Sequence, residues 1–289
     1  MTVLNHLIRW IPSSLRWRIG RTLYMHARGD IPNDMRTNGE LFLQRRVLDL
    51  NLRKPNVQRR LVLLDVGANL GDWTAYALAH IDRHWGSDCP VSIIAFEPDP
   101  AAAEHLRHRF QARREVRIEQ IALSSRSGTA AFFRTGSARG TNSLYPASNE
   151  PLDILSIRTE AVSSYCANRG IDRIDLMKVD AEGHDCEVIL GAKELLQTER
   201  ITLLQFEYNH RWIFARRFLK DVFEIIGSLP YSLGKLQSDH VLIFDAWHFE
   251  LERFFEGNYV LIHERAAGWL PARKLVWDKS NTAKIRSLV

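Results

Sequence analysis

Short apolar runs and helix-period stretches take turns along most of this chain. The runs at residues 61–66, 91–96, 174–179 and 201–206 are rich in Val, Ile, Leu, Met and Phe, as strands buried on both faces are. A further strand fits residues 116–122, and residues 128–133 read as an extra one. Helical spacing fills residues 40–53, 72–84, 101–113, 185–197 and 214–229, with Pro55 ending the first of these. Two β segments, near residues 241–244 and 259–263, close the pattern. With no long helix between them, they are expected to pair antiparallel at a sheet edge. Strands alternating with helices predict a doubly wound α/β fold, a mostly parallel sheet with helices on both faces. Residues 1–37 form an N-terminal helical extension to it, 38–265 the domain itself, and 266–289 a C-terminal tail.

Composition narrows this only a little. A chain of 289 residues can bury a sizeable core in one domain. Its formal net charge of +5 comes from arginines scattered through helices, which excludes a dedicated nucleic-acid module. Cys89, Cys166 and Cys186 are too few and too far apart for a disulfide framework or a zinc site. They read as free thiols of a soluble, cytoplasmic protein. No apolar run reaches the roughly eighteen residues of a membrane span. Residues 4–24 mix Trp10, Trp17 and several Leu and Ile with four arginines, a pattern suited to a membrane surface, a subunit contact or a cover on the domain.

Chemistry concentrates where apolar runs end, because ligands of such sheets sit outside the carboxyl ends of the strands. After the first run come Asp65, Val66, Gly67, Ala68, Asn69, Leu70, Gly71 and Asp72. A dinucleotide fingerprint would need glycine where Asn69 and Asp72 stand, and Asp72 would repel a pyrophosphate at the helix start. The acidic pair Asp65 and Asp72 suits a cofactor without phosphate and with positive charge, such as S-adenosylmethionine. The second run ends in Phe96, Glu97, Pro98, Asp99 and Pro100. Glu97 is placed to take both hydroxyls of a ribose, the alternative being a cap on the next helix. Strand alternation then puts Lys178, Asp180 and Glu182 on one side, either as a site or as an ion-pair network. The next strand adds Glu207 and His210 to the same rim.

These segments resemble the FkbM family of S-adenosylmethionine-dependent methyltransferases. The family pattern DVGAN-x-G appears as Asp65 to Gly71, FEP-x-P as Phe96 to Pro100, and K-[IV]-D-x-EG-x-[DE] as Lys178 to Asp185, followed by Gly191 and Ala192. Asn38, Gly39 and Glu40 match an upstream N-G-E, and Ala122, Leu123 and Ser124 an A-L-S step. The resemblance implies a Rossmann-like class I methyltransferase fold and methyl transfer to the oxygen of a sugar, glycolipid or polyketide-like acceptor. It also implies S-adenosylmethionine held by Glu40, Asp65, Gly67, Ala68, Asn69, Gly71, Glu97, Pro98 and Asp180, with Ile121 and Ala122 beside the adenine.

Asp180, Glu182, Glu207 and His210 are the candidates for catalysis: for the base, for the cofactor ammonium, or for a metal that orients the hydroxyl. Direct base action is preferred, since no tightly spaced metal-ligand motif is present. The loop at residues 135–149, with Thr141, Asn142 and Ser143, is expected to close over the acceptor. The expected partner is a small-molecule or glycan acceptor, with no nucleic acid. The rival reading is a non-catalytic cofactor- or glycan-binding module that kept the fold. Retained acidic strand tips argue against that rival, because folding alone does not need them.

Overall fold

The computed structural model of the chain describes residues 8, 10–52, 59–86, 89–134, 142–146 and 153–287. In chain order its helices are α1 (Ser13–Ala27), α2 (Glu40–Leu52), α3 (Asp72–His84), α4 (Pro100–Arg109), α5 (Val162–Asn168), α6 (Asp185–Gly191), α7 (Lys193–Gln197) and α8 (Leu219–Ile226). The strands are β1 (Leu61–Val66), β2 (Val91–Phe96), β3 (Val116–Glu119), β4 (Ala122–Ser124), β5 (Gly128–Arg134), β6 (Asp153–Ala161) and β7 (Ile174–Val179). They continue with β8 (Ile201–Tyr208), β9 (Tyr231–Leu236), β10 (Val241–Phe244), β11 (Gly257–His263), β12 (Ala272–Trp277) and β13 (Ala283–Ser287).

A ten-stranded sheet runs β13-β12-β10-β9-β11-β8-β7-β1-β2-β3, parallel from β3 through β8. Its apolar side chains alternate between two faces, so each strand feeds two cores. Leu61, Leu63, Val91 and Ile93 pack with Leu43, Val47 and Leu48 of α2 and with Trp73, Ala77 and Ile81 of α3. Leu64, Val66, Ile94 and Phe96 pack with Tyr165 of α5, Val188 and Ile189 of α6, Leu195 of α7 and Val222 of α8. At roughly 1.5–3 kcal/mol per fully buried large apolar side chain, these two layers supply the main drive to fold. The doubly wound α/β architecture expected from the pattern is therefore present, with strand order reversing between β1 and β7.

Several expected elements differ. The segment at 116–122 divides into β3 in the main sheet and β4 in a second sheet of order β4-β6-β5. The helix expected at 185–197 breaks after Gly191, where a Cβ would lie 1.9 Å from the carbonyl oxygen of Ser124. The helix expected from residue 214 starts only at Leu219, after Arg216 adopts φ 54°. β10 and β11 do not pair with each other; β9 lies between them and pairs antiparallel with both. The sheet is thus mixed, not uniformly parallel. Residues 266–289, expected as a tail, carry β12 and β13, which extend the sheet beyond β10. β9 escapes sequence reading because Gly234 and Lys235 interrupt its apolar pattern; buried Lys235 is held by Asp30.

Candidate active site

The turn after β1 is shaped by three left-handed residues, Gly67 (φ 76°), Asn69 (φ 48°) and Gly71 (φ 83°). Gly67 is required twice over. A Cβ there would stand 1.9 Å from the carbonyl oxygen of Asp180, and its positive φ disfavours any side chain. The backbone amides of Gly67 and Ala68 both donate to the carbonyl of Phe96, and the amide of Asp180 donates to that of Val66. Strand ends β1, β2 and β7 are in this way tied directly to one another.

Glu97 reinforces that knot. Its Oε2 accepts from the Asn69 amide at 2.8 Å and its Oε1 from the Asp99 amide at 2.9 Å. The cap on α4 is Asp99, which accepts from the amides of Ala101 and Ala102, so the capping alternative for Glu97 falls. Burial pushes the Glu97 carboxyl up to about 7, against the pull of its two amide donors.

A cleft opens over these strand ends. Gly67, Asn69, Glu97, Pro98, Asp99, Asp180 and Glu182 give it polar walls; Val66, Phe96, Ala102, Ile121, Ala122, Leu123, Phe132 and Leu144 give it apolar ones. The empty space, open solvent at the mouth included, is about 730 Å³. Small-molecule sites span roughly 300–1,000 Å³. Of the residues expected around the cofactor, Gly67, Asn69, Glu97, Pro98, Ile121, Ala122 and Asp180 line this cleft. Asp65, Ala68, Gly71 and Glu40 do not. Asp65 is fully buried beneath the turn, accepting from Thr74 Oγ1 at 2.7 Å. Gly71 faces Leu106 and Phe110, which a Cβ would strike at 2.5 and 2.6 Å. Asp72, expected to favour a cationic ligand, is exposed on α3 and pairs with Arg109.

At the β7 end the cleft meets a cluster of charges. Lys178, in register with Asp65, is buried with its Nζ 3.2 Å from Asp180 Oδ2 and 3.6 Å from Asp65 Oδ1. Burial opposes its charge, but Asp180, Asp65 and Glu40 together outweigh that and raise its pKa. Asp65 Oδ1 has no hydrogen-bond donor, so its attraction to Lys178 acts through space. Glu182 (φ 52°) ends the extended path, and the expected strand alternation does not reach it. Its carboxylate nevertheless lines the cleft, 2.9 Å from Arg211 Nε. Burial and then the charge of Asp180 push it up to about 8, with Arg211 opposing.

Glu207 and His210 are placed differently from expectation. Glu207 is buried beside the cleft rather than in its wall, accepting from Asn33 Nδ2 at 2.8 Å and Asn209 Nδ2 at 2.7 Å. Burial, then Asp180, Asp185 and Glu182, hold its carboxyl well above the usual range. Glu40 is buried nearby, accepts from Asn38 Nδ2, and is likewise raised by burial. His210 is exposed at the start of a 3-10 turn (His210–Ile213) and takes no part in the cleft. Of the loop named for closure, Thr141 lies outside the described residues; Asn142 lines the cleft, and Ser143 Oγ donates to the carbonyl of Glu182 at 2.7 Å.

Sequence reasoning missed His184 and Arg211. His184 lines the cleft, with Nε2 2.9 Å from Ser124 Oγ and Nδ1 3.2 Å from Tyr145 Oη. Burial drives it down to about 4, so it is neutral at pH 7. Its place within the Lys178 to Asp185 motif was the one available signal. Arg211 had none, because only folding brings it to Glu182.

Comparison with known proteins identifies the family of the chain. The 2-O-methyltransferase NoeI of Sinorhizobium fredii is 25% identical over 211 residues, 66% of this chain and 81% of that protein. The 31-O-demethyl-FK506 methyltransferase FkbM of Streptomyces tacrolimicus is 30% identical over 168 residues, 46% of this chain and 60% of that protein. The hexuronic acid methyltransferase AglP of Haloferax volcanii is 26% identical over 181 residues, covering 62% and 67%. The sequence profile of the methyltransferase FkbM domain matches residues 65–234, from the buried aspartate of β1 to β9, and the chain belongs to that methyltransferase family.

Proposed function

We propose that the protein is an S-adenosylmethionine-dependent O-methyltransferase acting on a hydroxyl of a sugar, glycolipid or polyketide-like acceptor. One observation carries this: a single cleft with Glu97 and apolar walls over β2, and Asp180 with Glu182 over β7. The names of NoeI as a 2-O-methyltransferase, of FkbM as a 31-O-demethyl-FK506 methyltransferase and of AglP as a hexuronic acid methyltransferase support oxygen as the target and sugars among the acceptors.

The residues fit the cofactor. Each Glu97 oxygen has lone-pair capacity beyond its one amide donor, so the buried carboxylate can still accept from two ribose hydroxyls. Phe96, Ile121, Leu123 and Phe132 would flank an adenine, and Asp180 would take an ammonium group. S-adenosylmethionine would supply the methyl group as an electrophilic sulfonium. Glu182 is the best-placed base, since its pKa of about 8 lies near working pH, where general bases are most effective. Asp180 holds that value up, and Arg211 orients the carboxylate. His184, neutral, adds no positive charge to a site meant for a cation. Glu207, buried beside the cleft and within electrostatic reach of Glu182, would act as a positioning residue.

The test combines titration calorimetry with methyl-labelled cofactor and a panel of sugar, glycolipid and polyketide acceptors. S-adenosylmethionine and its demethylated product should bind, NAD should not, and label should appear on an acceptor oxygen. Tight NAD binding without any response to S-adenosylmethionine would sink the proposal.

A further inference from the structure

α1 is an amphipathic helix whose apolar stripe is covered by nothing among the described residues. None of its residues is buried. At 100° per residue, Leu15, Ile19 and Leu23 fall on one side, and they are 45%, 47% and 67% exposed. Just before and within the helix, Trp10 and Trp17 are 84% and 71% exposed. The opposite side is the one that docks. Tyr24 meets the Phe255 ring edge-on with centroids 6.1 Å apart and bonds Glu250, while Arg21 lies 5.5 Å over the same ring. A helix of a globular protein ordinarily turns its apolar stripe inward; here the stripe faces out.

Charge and position say what fits it. The sequence has no Asp or Glu before Asp30, but Arg9, Arg16, Arg18, Arg21 and Arg28 precede it. Arg16 and Arg18 flank the stripe and are exposed. Two copies of this chain meeting stripe to stripe would bring these like charges together, whereas an anionic lipid surface would neutralise them while taking up Leu15, Ile19 and Leu23. Position follows from register. Gly257 pairs with Tyr208, so the segment that receives α1, residues 250–255, lies at the carboxyl end of β8. That is the rim which carries Glu207 and, on neighbouring β7, the approach to Asp180 and Glu182.

We infer that α1 is an interfacial helix that docks the protein on an anionic lipid surface, with the rim of the cleft on the docked side. The inference is independent of turnover, because vesicle binding requires none. The full chain is tested by co-sedimentation with vesicles of phosphatidylcholine alone and of phosphatidylcholine mixed with phosphatidylglycerol, alongside light scattering for oligomeric state. The variants are Leu15→Ser/Ile19→Ser/Leu23→Ser and Arg16→Glu/Arg18→Glu, whose positions are exposed and whose melting curves should match the parent. The parent should prefer anionic vesicles, and either variant, or raised salt, should weaken binding by about tenfold or more. No preference for anionic vesicles would overturn the inference. So would a parent dimer that becomes monomeric in the serine variant while vesicle binding is absent throughout.

Discussion

The two ends of the cleft are made of different materials. Over β1 and β2 the wall is backbone and apolar side chain: the Gly67 and Asn69 turn, amides fixed on Phe96 and Glu97, and Ile121, Leu123 and Phe132. Over β7 it is charge, Asp180 and Glu182 in the wall with Lys178, Asp65, Glu40 and Glu207 buried behind or beside them, and burial and neighbouring carboxylates raise the Glu182 and Glu207 carboxyls well above the usual range. A rigid, largely satisfied end suits binding a constant ligand. Charges crowded in a low dielectric instead keep a carboxyl poised to gain or lose a proton. The contrast teaches that binding and proton transfer can be disturbed separately.

The strongest way to break the comparison is at the point where both ends touch. Gly67→Ala puts a methyl group against the Asp180 carbonyl at a positive φ, and should cost roughly 3 kcal/mol or more of stability, with cofactor binding lost. Thermal unfolding measures it; a normal melting temperature would mean that the two turns separate freely. Glu182→Gln should lower turnover by roughly 10²-fold while leaving cofactor affinity nearly unchanged. In the parent, turnover should rise with pH towards about 8 and then level if Glu182 is the base proposed above, since a base acts deprotonated. If EDTA abolishes activity and magnesium restores it, the same carboxylates are metal ligands instead.

At the other end Glu97→Ala should weaken cofactor binding by about 1.5–3 kcal/mol, the range for hydrogen bonds to a charged group. Calorimetry reads it, and unchanged affinity would reduce Glu97 to a tie between the two turns. A smaller effect follows from linkage. The Glu182 pKa is raised from 4.5 to about 8, so the folded protein keeps a proton that the unfolded chain gives up. The stability this contributes is present below pH 4.5 and is lost as pH rises to about 8. Melting temperatures of Glu182→Gln and parent should therefore diverge in the variant's favour between pH 5 and pH 9. Smallest of all, His210→Ala should change stability by no more than about 0.5 kcal/mol and turnover not at all, being exposed outside the cleft. A large drop in turnover would return His210 to the site.

Legibility in the sequence followed the same division. The strands β1, β2, β7 and β8 are continuous apolar runs, and their burial on both faces leaves few other readings. The turn from Asp65 to Gly71 and the Glu97 corner are local, because a glycine or a carboxylate there acts on backbone a few residues away or on the adjacent strand end. β6, β9, β12 and β13 were not legible. β6 is only partly buried and carries a polar-interrupted pattern, β13 is largely exposed, and β9 holds a lysine whose charge Asp30, distant in sequence, makes tolerable.

The sequence by itself determined the alternation of β1, β2, β7 and β8 with their helices, the tight turn, and which carboxylates stand at strand tips, since each depends on neighbours in the chain. Tertiary structure alone decided which of those carboxylates reach the cleft. It buried Asp65 and Glu40 beneath or beside the wall, left His210 in solvent, and brought His184 against Ser124 and Arg211 against Glu182. It also set the proton affinities. A pKa depends on burial and on charges within a few ångströms, and those distances exist only once β1, β7 and β8 lie side by side.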